Sequence, residues 1–125
     1  AAKALGALGA TVVLVGRNPD NLSSAVSALL DQGVDVDSIC VDVSDGAKVS
    51  EKVGQHSLAP QADILINSAG VMSEKMAKTL RTSQEEWHRV MGINLDGTFN
   101  MISAIGFSIS INPKFIFNKI IINLF

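Results

Sequence analysis

The stretch ILINSAGV, residues 64–71, carries an apolar run straight into a corner of small and polar residues. Short apolar runs that end on Asn and Gly read as buried strands entering a turn, and Gly70 leaves the backbone at that corner open to close approach. The same pattern occurs twice upstream. TVVLV, residues 11–15, is a β-branched run of the kind found in buried parallel strands, and VDSICVDV, residues 36–43, reads as another.

Helical signals separate these runs. AAKALGALGA, residues 1–10, is rich in helix formers and ends on a Gly suited to a helix C-terminus. In residues 18–33 Asn18 can cap and Pro19 suits the first helical position. Leu22, Val26, Leu29 and Leu30 fall on one face there before Gly33 stops the turn. SDGAKVSEKV, residues 44–53, reads as a helix capped by Ser44. After a polar loop over about 73–82, Ser83 and Glu86 form a capping box. Trp87, Val90, Met91, Leu95, Phe99 and Ile102 then recur at spacings of three and four, which predicts one long amphipathic helix with that stripe as its apolar face. Strands alternating with such helices imply a parallel sheet covered on both faces, an α/β fold of the Rossmann-like, doubly wound kind.

Composition limits the functions open to such a fold. The chain has 125 residues, 47% of them apolar, and a formal charge of −2, so one modest core fits and no basic surplus invites nucleic acid. The single cysteine, Cys40, has no disulfide partner, and its setting in ICV reads as a small buried residue in a reducing compartment. Cytoplasmic location and no membrane association are the corresponding expectations. The chain does not begin with Met and opens on no charged-then-apolar leader, so targeting is not legible.

Doubly wound sheets bind ligands beyond the carboxyl ends of their strands, and three such ends carry polar residues. At the first, Gly16 and Arg17 stand where a dinucleotide-binding fold meets the adenosine ribose. An acid there would accept from the 2′-hydroxyl, whereas Arg pairs with a 2′-phosphate, so Arg17 points to NADP(H) over NAD(H); a solvated turn arginine is the plain alternative. At the second, Asp42 can accept from an adenine amino group and the Val43 backbone can donate to the ring, although Asp42 also suits a helix cap. At the third, Asn67 ends the strand while Ser68, Ala69 and Gly70 keep the backbone bare enough for a ribose or nicotinamide, or simply form a tight turn. Asn94 lies seven residues after Trp87 on the apolar side of the long helix, where an amide needs a partner, either water or a carbonyl of the core.

Taken in order, GR, DV, NSAG and INLDGTFN resemble the motifs of the short-chain dehydrogenase/reductases over residues 1–104, with NSAG standing for the commoner NNAG. The resemblance implies an NADP(H)-dependent oxidoreductase acting on a carbonyl or alcohol. Arg17, Asp42, Val43, Asn67, Ser68, Ala69 and Gly70 would touch the cofactor, and Asn94 would support a water of the catalytic proton relay. It also implies homo- or hetero-oligomers formed through helix 84–104. The family's catalytic Tyr has no counterpart, since the sequence contains no tyrosine, and the glycine-rich turn expected just before Ala1 is not in the chain. No reductase turnover is therefore expected of the chain as given. A non-catalytic chain, inert or pairing with a full-length relative, is the alternative reading.

Residues 105–125 change character. GFSISINPKFIFNKIIINLF has no Ala, Val, Asp or Glu, in contrast to what precedes it, and reads as an atypical tail beside a domain of residues 1–104. A/T-rich sequence translated from outside the ancestral frame, a membrane anchor and an ordinary buried strand pair are its three readings. Pro113, Lys114, Asn118 and Lys119 interrupt any spanning apolar run. The sheet is thus expected to be partial, lacking its first strand and its C-terminal half. In the order 3-2-1-4-5-6 the strand around Leu65 would lose its inner neighbour, which predicts an aggregation-prone or partly disordered chain. No turn signal directs the tail into the gap.

Overall fold

The computed structural model describes residues 1–74, 81–111 and 119–124. Most of the polar loop expected over 73–82, and Pro113, Lys114 and Asn118 of the tail, lie outside the described residues. In chain order the elements are α1 (Ala2–Ala7), β1 (Thr11–Gly16), α2 (Pro19–Leu30), β2 (Val36–Cys40), α3 (Gly46–Gln55) and a 3-10 turn (Ala59–Gln61). Then come β3 (Ile64–Asn67), α4 (Gln84–Met91), a π-helical turn (Gly92–Asp96), α5 (Gly97–Ile111) and β4 (Lys119–Asn123).

Local chemistry accounts for the helix ends. Gly9 and Gly33 adopt φ of 88° and 75°, and each closes a helix with paired bonds back to the last turn, Ala10 N–H to Leu5 and Val34 N–H to Leu29 among them. Asn18 caps α2 by accepting from the Asp20 and Asn21 amides, with Pro19 at the first position. Of the apolar residues expected on one face of α2, Leu22 and Leu29 are buried but Leu30 is 55% exposed. The cap of α3 is Asp45, not Ser44. Both donors of Ser44 turn back to the Asp42 carboxylate, at 2.9 Å from N and 2.7 Å from Oγ, which leaves the next acid to accept from Lys48 N.

The sheet has the order β2-β1-β4-β3 with every neighbouring pair parallel. Side chains alternate between its faces. Val12, Leu14, Ile120 and Ile122 pack with Leu22 and Leu29 of α2 on one side; Val13, Val15 and Ile121 pack with Val49, Val53, Met101 and Ile105 of α3 and α5 on the other. Cys40 is exposed rather than buried, because alternation sends Ile39 into the core and leaves Cys40 at the end of an edge strand. The fold is α/β and Rossmann-like, as the sequence implies.

The tail corrects the expectation of a gap beside Leu65. β4 lies between β1 and β3, the place that the doubly wound order gives to its first strand, pairing Thr11 to Lys119 through Val15 to Asn123 and Ile64 to Ile120 through Asn67 to Asn123. Ile120, Ile121 and Ile122 are at most 2% exposed. Burying three such side chains contributes roughly 5 to 9 kcal/mol before the entropy of ordering them. Polar groups fix the register at both ends. Asp63 donates its N–H to Lys119 O at 2.8 Å and accepts from Lys119 N at Oδ2 (2.9 Å), while Asn123 at the far end bonds to Asn67, Ser68 and Ala69. The boundary between residues 104 and 105 falls inside α5, and the strand beyond it shares the sheet with residues 11–67.

This arrangement has an unusual hand. Helices α3 and α5 cover the same face, yet β2 to β3 and β3 to β4 cross the sheet in opposite directions, so the two crossovers are of opposite hand. With β1-α2-β2 and β2-α3-β3 right-handed, as such units nearly always are, the connection from β3 through α5 to β4 is left-handed.

The long helix differs from its expected face. Its core side is Ile93, Gly97, Met101 and Ile105, whereas Trp87, Leu95, Phe99 and Ile102 are each 50% exposed or more. The stripe was spaced for an unbroken α-helix, and the π turn at Gly92–Asp96 inserts extra arc that changes the phase between α4 and α5. Among the described residues no helix is long and apolar enough to cross a membrane.

Candidate functional site

Because all four strands run parallel, their carboxyl ends gather at one edge of the sheet, where ligands bind in this architecture. Arg17 leaves the end of β1 half exposed, with Nη1 3.9 Å from Asp42 Oδ2. An ion pair this long and this open to water holds Arg17 only weakly, so the guanidinium is available to another anion. Asp42 is fixed by its two bonds from Ser44. Val43 is buried, and its carbonyl accepts from Asn100 Nδ2 at 2.8 Å, which ties the end of β2 to α5. Gly97 makes that approach possible: a Cβ there would lie 2.6 Å from Val43 Cγ2.

The corner after β3 is held from two sides. Asn123 Oδ1 accepts from the amides of Ser68 and Ala69, and its Nδ2 donates to Asn67 Oδ1 at 2.7 Å. From the helix side, Asn94 clamps Val71 on both backbone groups, accepting from Val71 N at 2.8 Å and donating to Val71 O at 2.9 Å. The partner that Asn94 needed is thus a loop backbone, and the residue is exposed rather than on the core side. Arg89 donates to Met72 O, and Glu86 accepts from Glu74 N, so the loop is stitched to α4 and the π turn at three successive points. The Arg89 guanidinium and the Glu74 amide hold the Glu86 carboxyl at about 2, well below the ordinary range. Ser83 caps α4 through Glu86 N, but the Glu86 side chain serves this loop instead of returning to Ser83.

Arg17, Asp42, Val43 and Ala69 come together around one recess, whose remaining walls are Val41, Val71, Ile93 and Leu124. Asn67, Ser68 and Gly70 are not among its walls. The first two are engaged by Asn123, and Gly70 sits beside Asn94, where a Cβ would make ordinary contact at 3.6 Å. Ile93 was legible in principle as the start of the buried 93, 97, 101, 105 series. Leu124 had no signal, because nothing local to the tail says where β4 docks. The chemistry of the rim suits an adenosine carrying a 2′-phosphate: a cation, a fixed carboxylate and apolar walls for a ring. The space does not, since the cavity measures about 10 Å³, room for a single water.

A parallel, helix-covered sheet with these groups at its carboxyl edge has the Rossmann-like α/β architecture. The chain belongs to the short-chain dehydrogenase family, whose model matches residues 1–108. It is 34% identical over 106 residues to 2,3-dihydro-2,3-dihydroxybenzoate dehydrogenase of Bacillus subtilis and likewise 34% identical over 106 residues to gluconate 5-dehydrogenase of Gluconobacter oxydans. Each match takes in 83% of this chain and 40% of the relative. The chain thus spans about two fifths of the length of these curated relatives. Among solved structures, gluconate 5-dehydrogenase from Burkholderia cenocepacia, in complex with NADP and tartrate, superposes with a TM-score of 0.74 at 30% identity, over 84% of this chain and 41% of that one. A metagenomic short-chain oxidoreductase in complex with NADP gives 0.77 at 25% identity, over 86% and 48%.

Proposed function

We propose that this chain is the cofactor-binding portion of an NADP(H)-dependent oxidoreductase that interconverts a carbonyl and an alcohol. Arg17 carries the reading: it stands at the end of β1 beside the recess, with Gly16 rather than an acid before it and only a long, solvated ion pair to Asp42. The NADP complexes among its structural relatives support the same cofactor. When bound, the nicotinamide supplies the hydride chemistry. This chain's residues have the tasks of holding and orienting. Arg17 pairs with the 2′-phosphate, Asp42 and Val43 read the adenine edge, and the Asn67–Gly70 backbone borders the ribose and nicotinamide. Asn94 is a positioning residue in this reading, because both ends of its amide are spent on Val71. No residue of the 125 is assigned the proton transfer, there being no tyrosine.

The test is binding of adenosine 2′,5′-bisphosphate against 5′-ADP, followed by amide NMR shifts at Arg17, Asp42 and Val43. The wild-type chain should favour the bisphosphate by about tenfold, and Arg17→Ala should remove that preference. An unchanged preference in Arg17→Ala would overturn the assignment.

The exposed series Trp87, Leu95, Phe99 and Ile102 supports a second element of the proposal, pairing with a homologous chain through α4 and α5. Sedimentation should reveal a dimer that Phe99→Glu converts to monomer. A wild-type chain that stays monomeric at high concentration would count against it.

A further inference from the structure

The segment that follows β2 is tied to α5 through one peptide group. Asn100 Nδ2 donates to Val43 O at 2.8 Å, and the N–H of that same peptide, on Ser44, donates to Asp42 Oδ1 at 2.9 Å. Ser44 Oγ donates to Asp42 Oδ1 as well, at 2.7 Å. One oxygen of the Asp42 carboxylate thus takes two local bonds, while the other, Oδ2, faces Arg17 at 3.9 Å. The preceding peptide is held too. Asp45 N–H donates to Asp42 O at 3.1 Å, which sets the direction of the Val43 N–H at the other end of that planar unit. The Asp42 carboxylate is therefore the end of a chain that starts at Asn100, and a donor on the Val43 carbonyl polarises the peptide and strengthens the bond its N–H makes. Two glycines let the chain close. A Cβ on Gly97 would lie 2.6 Å from Val43 Cγ2, and one on Gly46, the first residue of α3, would lie 2.7 Å from Asn100 Oδ1.

Building on the nucleotide reading given above, we propose that Asn100 is a positioning residue for base recognition: through the Val43–Ser44 peptide it holds the Asp42 carboxylate in the orientation that accepts the adenine amino group. Asn100 touches no ligand in this scheme. Without its donor the peptide is free to turn, Ser44 N–H leaves Asp42, and the carboxylate loses its fixed direction. The loss falls on discrimination between bases. Preference for a 2′-phosphate is carried by Arg17 at the end of β1 and does not depend on this chain.

Asn100→Asp keeps the shape of the side chain and replaces the donor by an acceptor. Gly46→Ala pushes the Asn100 amide aside while giving α3 a better helix former. Wild type and both variants are titrated with adenosine 2′,5′-bisphosphate and with inosine 2′,5′-bisphosphate, which has a carbonyl in place of the amino group, followed by amide shifts at Arg17, Asp42 and Val43. Wild type should prefer the adenine ligand about tenfold, as a hydrogen bond to a charged group gives, and each variant about twofold or less. Preference for adenosine 2′,5′-bisphosphate over 5′-ADP should be kept, and in the free protein amide exchange at Ser44 should accelerate in the variants while that at Val13 does not. A wild-type base preference in Asn100→Asp would overturn the positioning role and leave the nucleotide reading intact, as would a wild type that binds both bases equally. Equal losses of base and 2′-phosphate preference, the mark of general loosening, would overturn the role as well. Absence of nucleotide binding in the wild type would overturn the nucleotide reading, and the role with it. If Asn100→Asp lacks the wild-type amide spectrum before ligand is added, Gly46→Ala decides by the same criteria.

Discussion

Ile121→Ala is expected to destabilise the chain by roughly 2 to 5 kcal/mol, a large share of the about 5 to 15 kcal/mol that holds a domain of this size. Ile121 is fully buried, pairs with Val13 on one side and Leu65 on the other, and contributes to the core beneath α3 and α5. The cost combines the lost transfer of the apolar atoms with a cavity that strands on both sides cannot close. Ile64→Ala is the control. Ile64 lies on β3, 36% exposed, and should cost about 1 kcal/mol or less. Urea unfolding of both variants checks the prediction. Similar small losses at the two positions would mean that the tail does not occupy the centre of the sheet.

Asn123→Leu should cost about 3 kcal/mol for a different reason. The leucine fills the space, so little cavity is made, but the amides of Ser68 and Ala69 and the Oδ1 of Asn67 lose their partner at once. A stranded buried group costs roughly 1 to 3 kcal/mol, less where water reaches it, as it does at the exposed residues Asn67 and Ser68. The accompanying sign is local: amide exchange at Ser68 and Ala69 should accelerate more than at Val13 or Leu14, which keep their ladder. Loss of less than about 1 kcal/mol, with exchange at Ser68 unchanged, would show that Asn123 is not the clamp of this corner.

Both predictions concern the segment whose position was least legible. Period and caps were enough for the elements from α1 to β3, since Asn18, Pro19, Gly33 and the β-branched runs act through bonds within a few residues of themselves. The errors came where one local cue had another local rival. Ser44 lost the cap of α3 to Asp45 because Asp42 claimed its donors. The stripe from Trp87 to Ile102 assumed an α-helical period, whereas the π turn around Asn94 shifts the phase and puts Ile93, Met101 and Ile105 inward.

By itself the sequence determined an α/β order of alternating elements, a parallel sheet, the motifs at three strand ends, and a cation, Arg17, at the first of them. These are set by propensity, by periodicity and by the chemistry of single side chains. The tertiary structure alone decided which strand stands beside Leu65. The preferred right-handed crossover would carry a strand after α5 to the outer side of β3, yet β4 lies on the inner side through a left-handed one. The inner slot has unpaired backbone of two strands to satisfy and apolar cover on both faces, while the outer edge has one strand to pair, and no pattern within the tail expresses that difference. The same placement brings Leu124 to the border of the recess that Arg17, Asp42 and Val43 also line, a neighbourhood made only when the far end of the chain is folded against its beginning.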